Sequence, residues 1–395
     1  MTGRCLHRPR GLRRRAPGDV FPWRRTVRTK AAVLTGPRQD WDVVDLELDG
    51  PGEGEVLLRL EAAGLCHSDE HLKYSEDARF PVVGGHEGAG VVEKAGPGVS
   101  HVRPGDHVVC SFIPVCGHCR WCSTGRTFLC DQSPDLVGAM RDGSFRFHGD
   151  GLDFGAMDSL GTFSRHAVVS ANGCVPVDKE VPFGVAALLG CCVPTGWGAA
   201  VRVAEVRPGD LVVVFGCGGV GSNAVQGAVG AGAGQVVVID PVRAKRDFAS
   251  RMGATAVHAD VESAADDIAT STRGVGADVA IVTAGVVDAR IVSSAFGVTR
   301  KGGTIVLIGA HDRSDELTVK LPGTLLTVES KRVVGSLYGG CNPRSDIPLL
   351  VRMYKEGKIL LDELISAEYR LDDIRQGYAD MHAGKNIRGV IVHSG

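Results

Sequence analysis

The stretch Leu211-Val212-Val213-Val214-Phe215, followed by Gly216-Cys217-Gly218-Gly219-Val220-Gly221, decides the fold. Five consecutive apolar residues predict a strand that is buried on both faces, and the segment that follows predicts a helix. In such a unit Gly216 permits the tight turn, Gly218 lets a pyrophosphate approach the backbone, and Gly221 lets helix and strand pack closely. A tight turn alone could explain these glycines, Gly219 among them, but the strand and helix around them favour a dinucleotide site.

Asp240 supports the same interpretation. It follows the next apolar run, Gln235–Ile239, and stands nineteen residues after Gly221. A carboxylate there can accept hydrogen bonds from both ribose hydroxyls and would repel a 2′-phosphate, so NAD is favoured over NADP. Lys245 could flank the adenosine ribose, although a solvated helix lysine fits its position equally well.

The rest of the chain divides around this unit. Apolar runs at 211–215, 235–239, 279–282 and 304–308 alternate with segments of helical length, which predicts a doubly wound parallel sheet. Before it, short runs such as 30–34, 55–60, 90–93 and 107–110 predict a β-rich region. We expect one helix over 181–190 and another after Pro194. The predicted domains are a β-rich catalytic domain at 29–192, a nucleotide domain at 193–337 and a return to the first domain at 338–395.

Composition excludes several classes of protein. The 395 residues are 44% hydrophobic and 23% charged with a net charge of −2, which is typical of a globular chain. The first 28 residues hold nine arginines and one acid, hence +8, and leave −10 for the remainder, which argues against nucleic-acid binding. The uncharged stretches 181–201 and 211–239 are interpreted as buried α/β segments rather than membrane spans. Twelve cysteines without a signal peptide indicate a reducing compartment, the cytoplasm.

Four cysteines form the strongest local signal. The spacing Cys116-x2-Cys119-x2-Cys122-x7-Cys130 lets four thiolates surround one zinc ion and leaves no open position, so a structural site is expected. An iron–sulfur cluster and disulfide bonds remain as alternatives at this point.

A catalytic zinc would need about three protein ligands and one open position. The candidates are Cys66 in Gly-Leu-Cys-His-Ser-Asp, His86 in Gly-Gly-His-Glu-Gly and Cys191 in Leu-Gly-Cys-Cys. Spacing cannot join positions so far apart, and each residue taken alone is more often a packed core residue.

The order of these motifs, from about residue 30 to the C-terminus, resembles that of zinc-dependent medium-chain alcohol dehydrogenases. The resemblance implies a GroES-like β-rich catalytic domain followed by a Rossmann domain, with a structural zinc lobe at 113–131. It implies that Cys66, His86 and Cys191 bind the catalytic zinc, that Asp69 orients His86 and that Glu87 lies beside the metal. Two zinc ions per subunit and NAD are the implied cofactors.

A narrower resemblance rests on GLCHSDEH, GGHEGAGVVE, SFIPVCGHCRWC, DGSFRFH, LLGCCVPTGWG, NPRSDIP and GYADMHAGKNIRGVIV. These stretches are similar to those of actinobacterial NDMA-dependent alcohol dehydrogenases. Members of that subfamily hold NAD without exchange, are associated with mycofactocin as the redox partner, and accept N,N-dimethyl-4-nitrosoaniline in its place. By the same likeness we expect a small-molecule alcohol as substrate and a homo-oligomer, while the charge and the uncharged stretches predict no nucleic-acid or membrane partner.

The resemblance also assigns the residues around the metal. Ser68 would hydrogen-bond the alcohol oxygen, and His71 would be the outer end of a proton relay. His67 and Arg388 would contact the pyrophosphate, while Thr195 and Val220 would press on the nicotinamide. Phe112 would line the alcohol pocket, where a plain core phenylalanine is nearly as good an interpretation.

Alternatives stay open at this point. The chain could be an alcohol dehydrogenase with exchangeable NAD, or a dehydrogenase of formaldehyde–thiol adducts. The second is weakened because Asp131-Gln132-Ser133-Pro134 carries no arginine, which glutathione-type enzymes have four residues after the last lobe cysteine. The chain could also be a non-catalytic protein whose residues 1–28 form a nucleic-acid-binding arm. The presence of Ser68 and His71 together with three candidate metal ligands argues against this alternative, because a non-catalytic protein would not need them. Relatives begin near Val27, so residues 1–26 are hypothesised to be an over-called start, with a disordered basic arm as the alternative.

Overall fold

The structure is a computed structural model, and it describes residues 26–75, 79–132, 138–140, 142–309 and 319–393. The basic leader, apart from its last three residues, lies outside these ranges, as do Ser133 and Pro134. None of the helices in the described ranges combines the length and apolarity that crossing a bilayer requires.

The β-rich part consists of short strands separated by turns, with three brief helices. In chain order these elements are β1 Val27–Leu34, β2 Asp42–Leu48, β3 Glu55–Gly64, α1 His67–His71, β4 Val82–Val83, β5 Gly88–Ala95, β6 His107–Cys110, α2 Arg120–Ser123, β7 Phe147–Gly149, β8 Leu152–Ala156, β9 His166–Ser170, β10 Cys174–Val177 and α3 Phe183–Leu188.

The nucleotide part alternates strands with helices, as the apolar runs predict. Its elements are α4 Cys192–Gly198, β11 Leu211–Phe215, α5 Gly219–Gly230, β12 Gln235–Ile239, α6 Arg243–Arg251, β13 Ala256–His258, α7 Val261–Thr272, β14 Ala277–Val282, α8 Ala289–Val298, β15 Thr299–Leu307, α9 Gly323–Val328 and β16 Arg332–Gly335. The chain ends with α10 Pro343–Lys355, β17 Ile365–Tyr369, α11 Ile374–His382 and β18 Arg388–Val392.

Three sheets organise these strands. β1, β2, β7, β8 and β4 close into a barrel, and the order β10-β6-β5-β3-β18-β17, with β9 paired to β3, gives a second sheet. β17 and β18 come from the end of the chain, so the C-terminal segment returns to the β-rich part. β13-β12-β11-β14-β15-β16 form a parallel sheet, and every residue of β11 is buried, as expected for a strand covered on both faces.

The mixed architecture confirms the predicted class: a GroES-like β-rich part combined with a doubly wound sheet. The predicted start of the second helix is wrong, because α4 begins at Cys192 and not after Pro194. Proline is tolerated in the first turn of a helix, where backbone N–H groups have no intrahelical partner. The domain boundaries themselves stay predictions.

Candidate active site

A buried cluster of four metal-binding side chains lies where the β-rich and nucleotide parts meet. Ligand atoms of Cys66, His86, Glu87 and Cys191 all lie within 4.8 Å of one another. Cys66 immediately precedes α1, His86 and Glu87 lie between β4 and β5, and Cys191 immediately precedes α4. The fold therefore joins three sequence positions that spacing could not connect.

Asp69 fixes the histidine of this cluster. The Asp69 Oδ1 atom lies 3.0 Å from His86 Nδ1 and also accepts a hydrogen bond from the Gly85 N–H at 3.1 Å. His86 Nδ1 is thereby engaged, which leaves Nε2 to face the cluster. Burial opposes the charged imidazolium, but Asp69 and Cys66 outweigh burial and raise the pKa of His86 well above its usual value. Cys191 as hydrogen-bond partner lowers the pKa of Cys66 against the effect of burial, so the cluster favours a thiolate.

Glu87 is held by Arg388 from the last strand. The two side chains form a buried ion pair through Arg388 Nη2 and Glu87 Oε2, and neither carboxylate nor guanidinium is more than 6% exposed. Burial raises the pKa of Glu87 to about 7, with the Arg388 charge opposing it. The arginine stem passes over Gly219, where any Cβ would collide with Arg388 Cδ. Arg388 thus spans the distance between the cluster and the glycine-rich turn.

Of the predicted relay and pocket residues, Ser68 and Phe112 lie against ligands of the same cluster. Ser68 Oγ lies 3.7 Å from Cys66 Sγ, and His71 is the last residue of α1. The Phe112 ring meets His86 edge-to-face with centroids 5.8 Å apart. It also meets Tyr338 at 5.2 Å, a buried aromatic residue that the sequence did not single out.

The four-cysteine loop closes on itself around α2. Its sulfur atoms lie within 4.8 Å of one another, with Cys116–Cys122 at 3.9 Å and Cys119–Cys130 at 4.0 Å. Disulfides need about 2 Å between sulfurs, so these cysteines are free thiols. A tetrahedron with bonds of about 2.3 Å has edges of about 3.8 Å, so the spacing fits one zinc ion rather than a multi-iron cluster. Backbone N–H groups of Cys122 and Asp131 lower the pKa of Cys119 to about 6, which favours the ligating thiolate.

The glycine-rich turn joins β11 to α5 as predicted. Gly216 has φ +88°, a conformation that suits glycine, and a Cβ at Gly221 would collide with the Gly216 carbonyl oxygen. A Cβ at Gly218 would meet no atom within 4 Å, so that backbone faces open space. Asp240 accepts hydrogen bonds from Cys217 N and Val242 N, both at 2.8 Å, and therefore lies against the turn.

The remaining predicted cofactor residues lie close to the metal-binding cluster or to the glycine-rich turn. Thr195 Oγ1 is 3.9 Å from Cys191 Sγ, and Val220 belongs to the first turn of α5. His67 is half-buried, lies near Gly285 and meets the His382 ring edge-to-face at 5.9 Å. Lys245 lies on α6, half-buried, and its charge acts on Cys217 of the turn.

A GroES-like barrel joined to a doubly wound sheet, with a buried cysteine–histidine cluster at their junction, defines a two-domain zinc-binding dehydrogenase. Family models agree: that of the alcohol dehydrogenase GroES-like domain matches residues 52–179, and that of zinc-binding dehydrogenases matches residues 219–356.

Individual relatives extend this match to most of the chain. Putative alcohol dehydrogenase D of Mycobacterium tuberculosis is 53% identical over 369 residues, which cover 93% of this chain and 100% of the relative. The NDMA-dependent alcohol dehydrogenase of Amycolatopsis methanolica is 52% identical over 370 residues, with coverage of 93% and 100%. The solved structure of benzyl alcohol dehydrogenase from Acinetobacter calcoaceticus aligns with a TM-score of 0.86 at 29% identity, over 93% of this chain and 100% of that one.

The chain belongs to the zinc-dependent medium-chain alcohol dehydrogenases and is an oxidoreductase that acts on alcohols. Zinc and a nucleotide are its cofactors. The two clusters match these requirements: one offers four thiols and no other donor, and the other offers two thiols, one imidazole and a carboxylate.

Proposed function

We propose that this protein oxidises an alcohol to an aldehyde or ketone at the Cys66–His86–Cys191 cluster, with NAD that stays bound between turnovers. The observation that carries the proposal is the meeting of these three side chains in one buried cluster, with Asp69 held on His86 Nδ1. Two cysteines and one histidine are the donor set for which alcohol dehydrogenase is itself the standard example.

Zinc held by these residues would supply Lewis acidity toward an alcohol oxygen, and NAD would supply the hydride acceptor. Ser68 is suited to hold the hydroxyl proton, because its Oγ lies 3.7 Å from Cys66 Sγ at the cluster. Ser68 and His71 are three residues apart on α1, hence on one face of the helix, so His71 can pass that proton outward. The aromatic pair Phe112 and Tyr338 would exclude water from the cluster.

The choice of NAD over NADP rests on Asp240. Its carboxylate is 4% exposed and is fixed by two backbone N–H groups, so it cannot swing away from a ribose 2′-phosphate. We expect Asp240→Asn to weaken discrimination against NADP by at least tenfold, measured as the ratio of binding constants for the two dinucleotides. A ratio equal to that of the unmodified protein would remove Asp240 from the proposal.

Retention of NAD, and its re-oxidation by an external acceptor such as mycofactocin, are proposed from the 52% identity with the NDMA-dependent enzyme of Amycolatopsis methanolica. The six cysteines gathered in the two clusters need reduced thiols, which supports a cytoplasmic location. A homo-oligomer is proposed on the sequence resemblance to this subfamily.

Cofactor content is the decisive measurement. The protein would be purified without added NAD and denatured, and the supernatant would be assayed for NAD and zinc. We expect two zinc ions and close to one NAD per chain, together with alcohol oxidation that needs N,N-dimethyl-4-nitrosoaniline and ignores added NAD. Protein free of NAD that oxidises alcohols only with supplied NAD would replace this proposal with an exchangeable-NAD alcohol dehydrogenase.

A further inference from the structure

Asp158 is a buried aspartate whose carboxylate has no partner among the residues that the structure describes. It is 8% exposed, and within the described ranges no hydrogen bond or ion pair engages its side chain; only burial and distant charges act on it. Other buried carboxylates have an oppositely charged or imidazole partner: Asp69 has His86, Glu87 has Arg388 and Asp346 has Arg202, although Asp69 Oδ2 and Glu87 Oε1 accept no hydrogen bond from the described residues. Burying a carboxylate without compensation is costly, so its retention calls for a ligand that completes it.

The loop that carries Asp158 is fixed over the stretch that carries His86. Ala156, just before the loop, pairs with Val83. Just after it, Thr162 N donates to Gly85 O at 3.0 Å, and Thr162 Oγ1 donates to Glu87 O at 3.0 Å. The loop is thus fastened at one end to β4 and at the other to the two residues that flank His86, and the charges of His86, Asp69 and Cys66 all act on Asp158.

The backbone at this position is also unusual. Asp158 has φ +50° and Ser159 has φ +54°, both in the left-handed region. Each non-glycine residue there costs on the order of 1 kcal/mol, and such conformations concentrate at functional sites. The turn is held closed because Leu160 N and Gly161 N both donate to the Met157 carbonyl oxygen.

We propose that Asp158 selects the substrate: its carboxylate accepts a hydrogen bond from a second donor group, a hydroxyl or an ammonium, on the alcohol being oxidised. The inference deepens the proposed alcohol oxidation and rests on it. An alcohol that lacks a second donor would leave the buried carboxylate unpaired, and sites built around such a group reject analogues that cannot complete it.

The protonation state of Asp158 does not alter the preference for a hydroxyl donor, whereas the preference for an ammonium needs the ionised form. Burial raises the pKa of its carboxyl to about 7, while the His86 charge opposes the shift. A carboxylate and a protonated carboxyl both offer an oxygen to a hydroxyl donor. The ionised form would pair with an ammonium and would disfavour alcohols that bear a carboxylate of their own.

The test compares matched alcohols. Values of kcat/KM would be measured for 1-alkanols, α,ω-diols and ω-amino alcohols of equal chain length, with N,N-dimethyl-4-nitrosoaniline and separately with added NAD. At one chain length or more, we expect a preference of at least tenfold for a diol or an amino alcohol over the alkanol, beyond the factor of two that a symmetric diol gains.

Asp158→Gly removes the carboxylate and accepts the left-handed backbone without strain. We expect it to abolish the preference while alkanol oxidation is kept or improved, and to raise the melting temperature, because an unpaired buried carboxylate is lost. Asp158→Asn keeps an acceptor oxygen, so it should retain the preference for a diol and lose that for an amino alcohol. Asp150→Gly is the matched control, since Asp150 has the same φ of +50° and is exposed.

The outcomes separate the two proposals. Unchanged ratios in Asp158→Gly, with alkanols still oxidised, would overturn the role of Asp158 and leave the alcohol dehydrogenase activity standing. Failure of the unmodified protein to oxidise any alcohol with either acceptor would instead overturn the proposed function. A preference for the amino alcohol alone would show that Asp158 recognises an ammonium. A preference for the diol would show that it recognises a hydroxyl.

Discussion

Removing the charge on Asp69 should weaken zinc binding at the catalytic cluster and leave zinc binding at the four-cysteine site unchanged. Asp69 is fully buried. Its Oδ1 atom lies 3.0 Å from His86 Nδ1 and accepts a hydrogen bond from Gly85 N at 3.1 Å. In Asp69→Asn the amide keeps an acceptor oxygen for one of these donors, but the negative charge that holds the imidazole is gone. Loss of such an outer partner weakens metal affinity by about 10- to 100-fold, or about 1.4–2.8 kcal/mol.

Zinc release into a chelator would be followed over time, with metal content measured by mass spectrometry. The four-cysteine site is an internal reference, because it shares no residue with the catalytic cluster. We expect one zinc ion to leave Asp69→Asn about 10- to 100-fold faster than it leaves the unmodified protein, while the second leaves at the unmodified rate.

Asp267→Asn is the matched control for this experiment. Asp267 also binds a histidine, with Oδ2 3.0 Å from His258 Nε2, but its side chain is 58% exposed and lies on the nucleotide part. This variant should keep both zinc ions at their normal rates. If Asp69→Asn released zinc no faster than Asp267→Asn, Asp69 would not be orienting the ligand and the reasoning would be refuted.

Two further predictions test the glycine-rich turn and the end of the chain. Gly221→Ala should lose most of its bound NAD, because the new methyl group would collide with the Gly216 carbonyl oxygen. The control Gly230→Ala, at the open end of α5, should keep its NAD. Equal NAD contents in the two variants would contradict this prediction. Burial, aided by nearby cationic side chains, lowers the pKa of His393 to about 4, whereas the unfolded chain binds this proton near 6.5. The unfolded state therefore binds more protons between these values, and the free energy of unfolding should fall by about 3 kcal/mol as pH drops from 6.5 to 4. His393→Gln, which can still donate to Thr162 O, should flatten that slope in melts across this range; parallel slopes would exclude the assignment.

Much of the nucleotide part could be predicted because its strands are continuous apolar runs. β11 and β12 have the predicted bounds, Leu211–Phe215 and Gln235–Ile239, since the buried positions of parallel strands covered on both faces form near-continuous apolar runs. The start of α4 differs from the prediction because a proline in the sequence indicates a helix boundary, although the first turn of a helix does not need the backbone N–H that proline lacks.

The four-cysteine loop was likewise evident from spacing, because its ligands lie within fifteen residues and the loop closes locally. Asp158 and Tyr338 gave no such signal. A single aspartate next to a serine in a loop is usually solvated, and the burial of Asp158 follows only from how the loop after β8 is fastened beside His86.

The sequence by itself thus determined the alternating sheet, the glycine-rich turn with Asp240 and the local metal loop, since each depends on residues close along the chain. The tertiary structure alone decided that Cys66, His86 and Cys191 share one site and that Arg388 reaches both Glu87 and Gly219. These contacts join residues 20 to more than 300 positions apart. Side-chain chemistry can indicate such residues as candidates. They come together only because the β-rich part and the returning C-terminal strands pack against the nucleotide part.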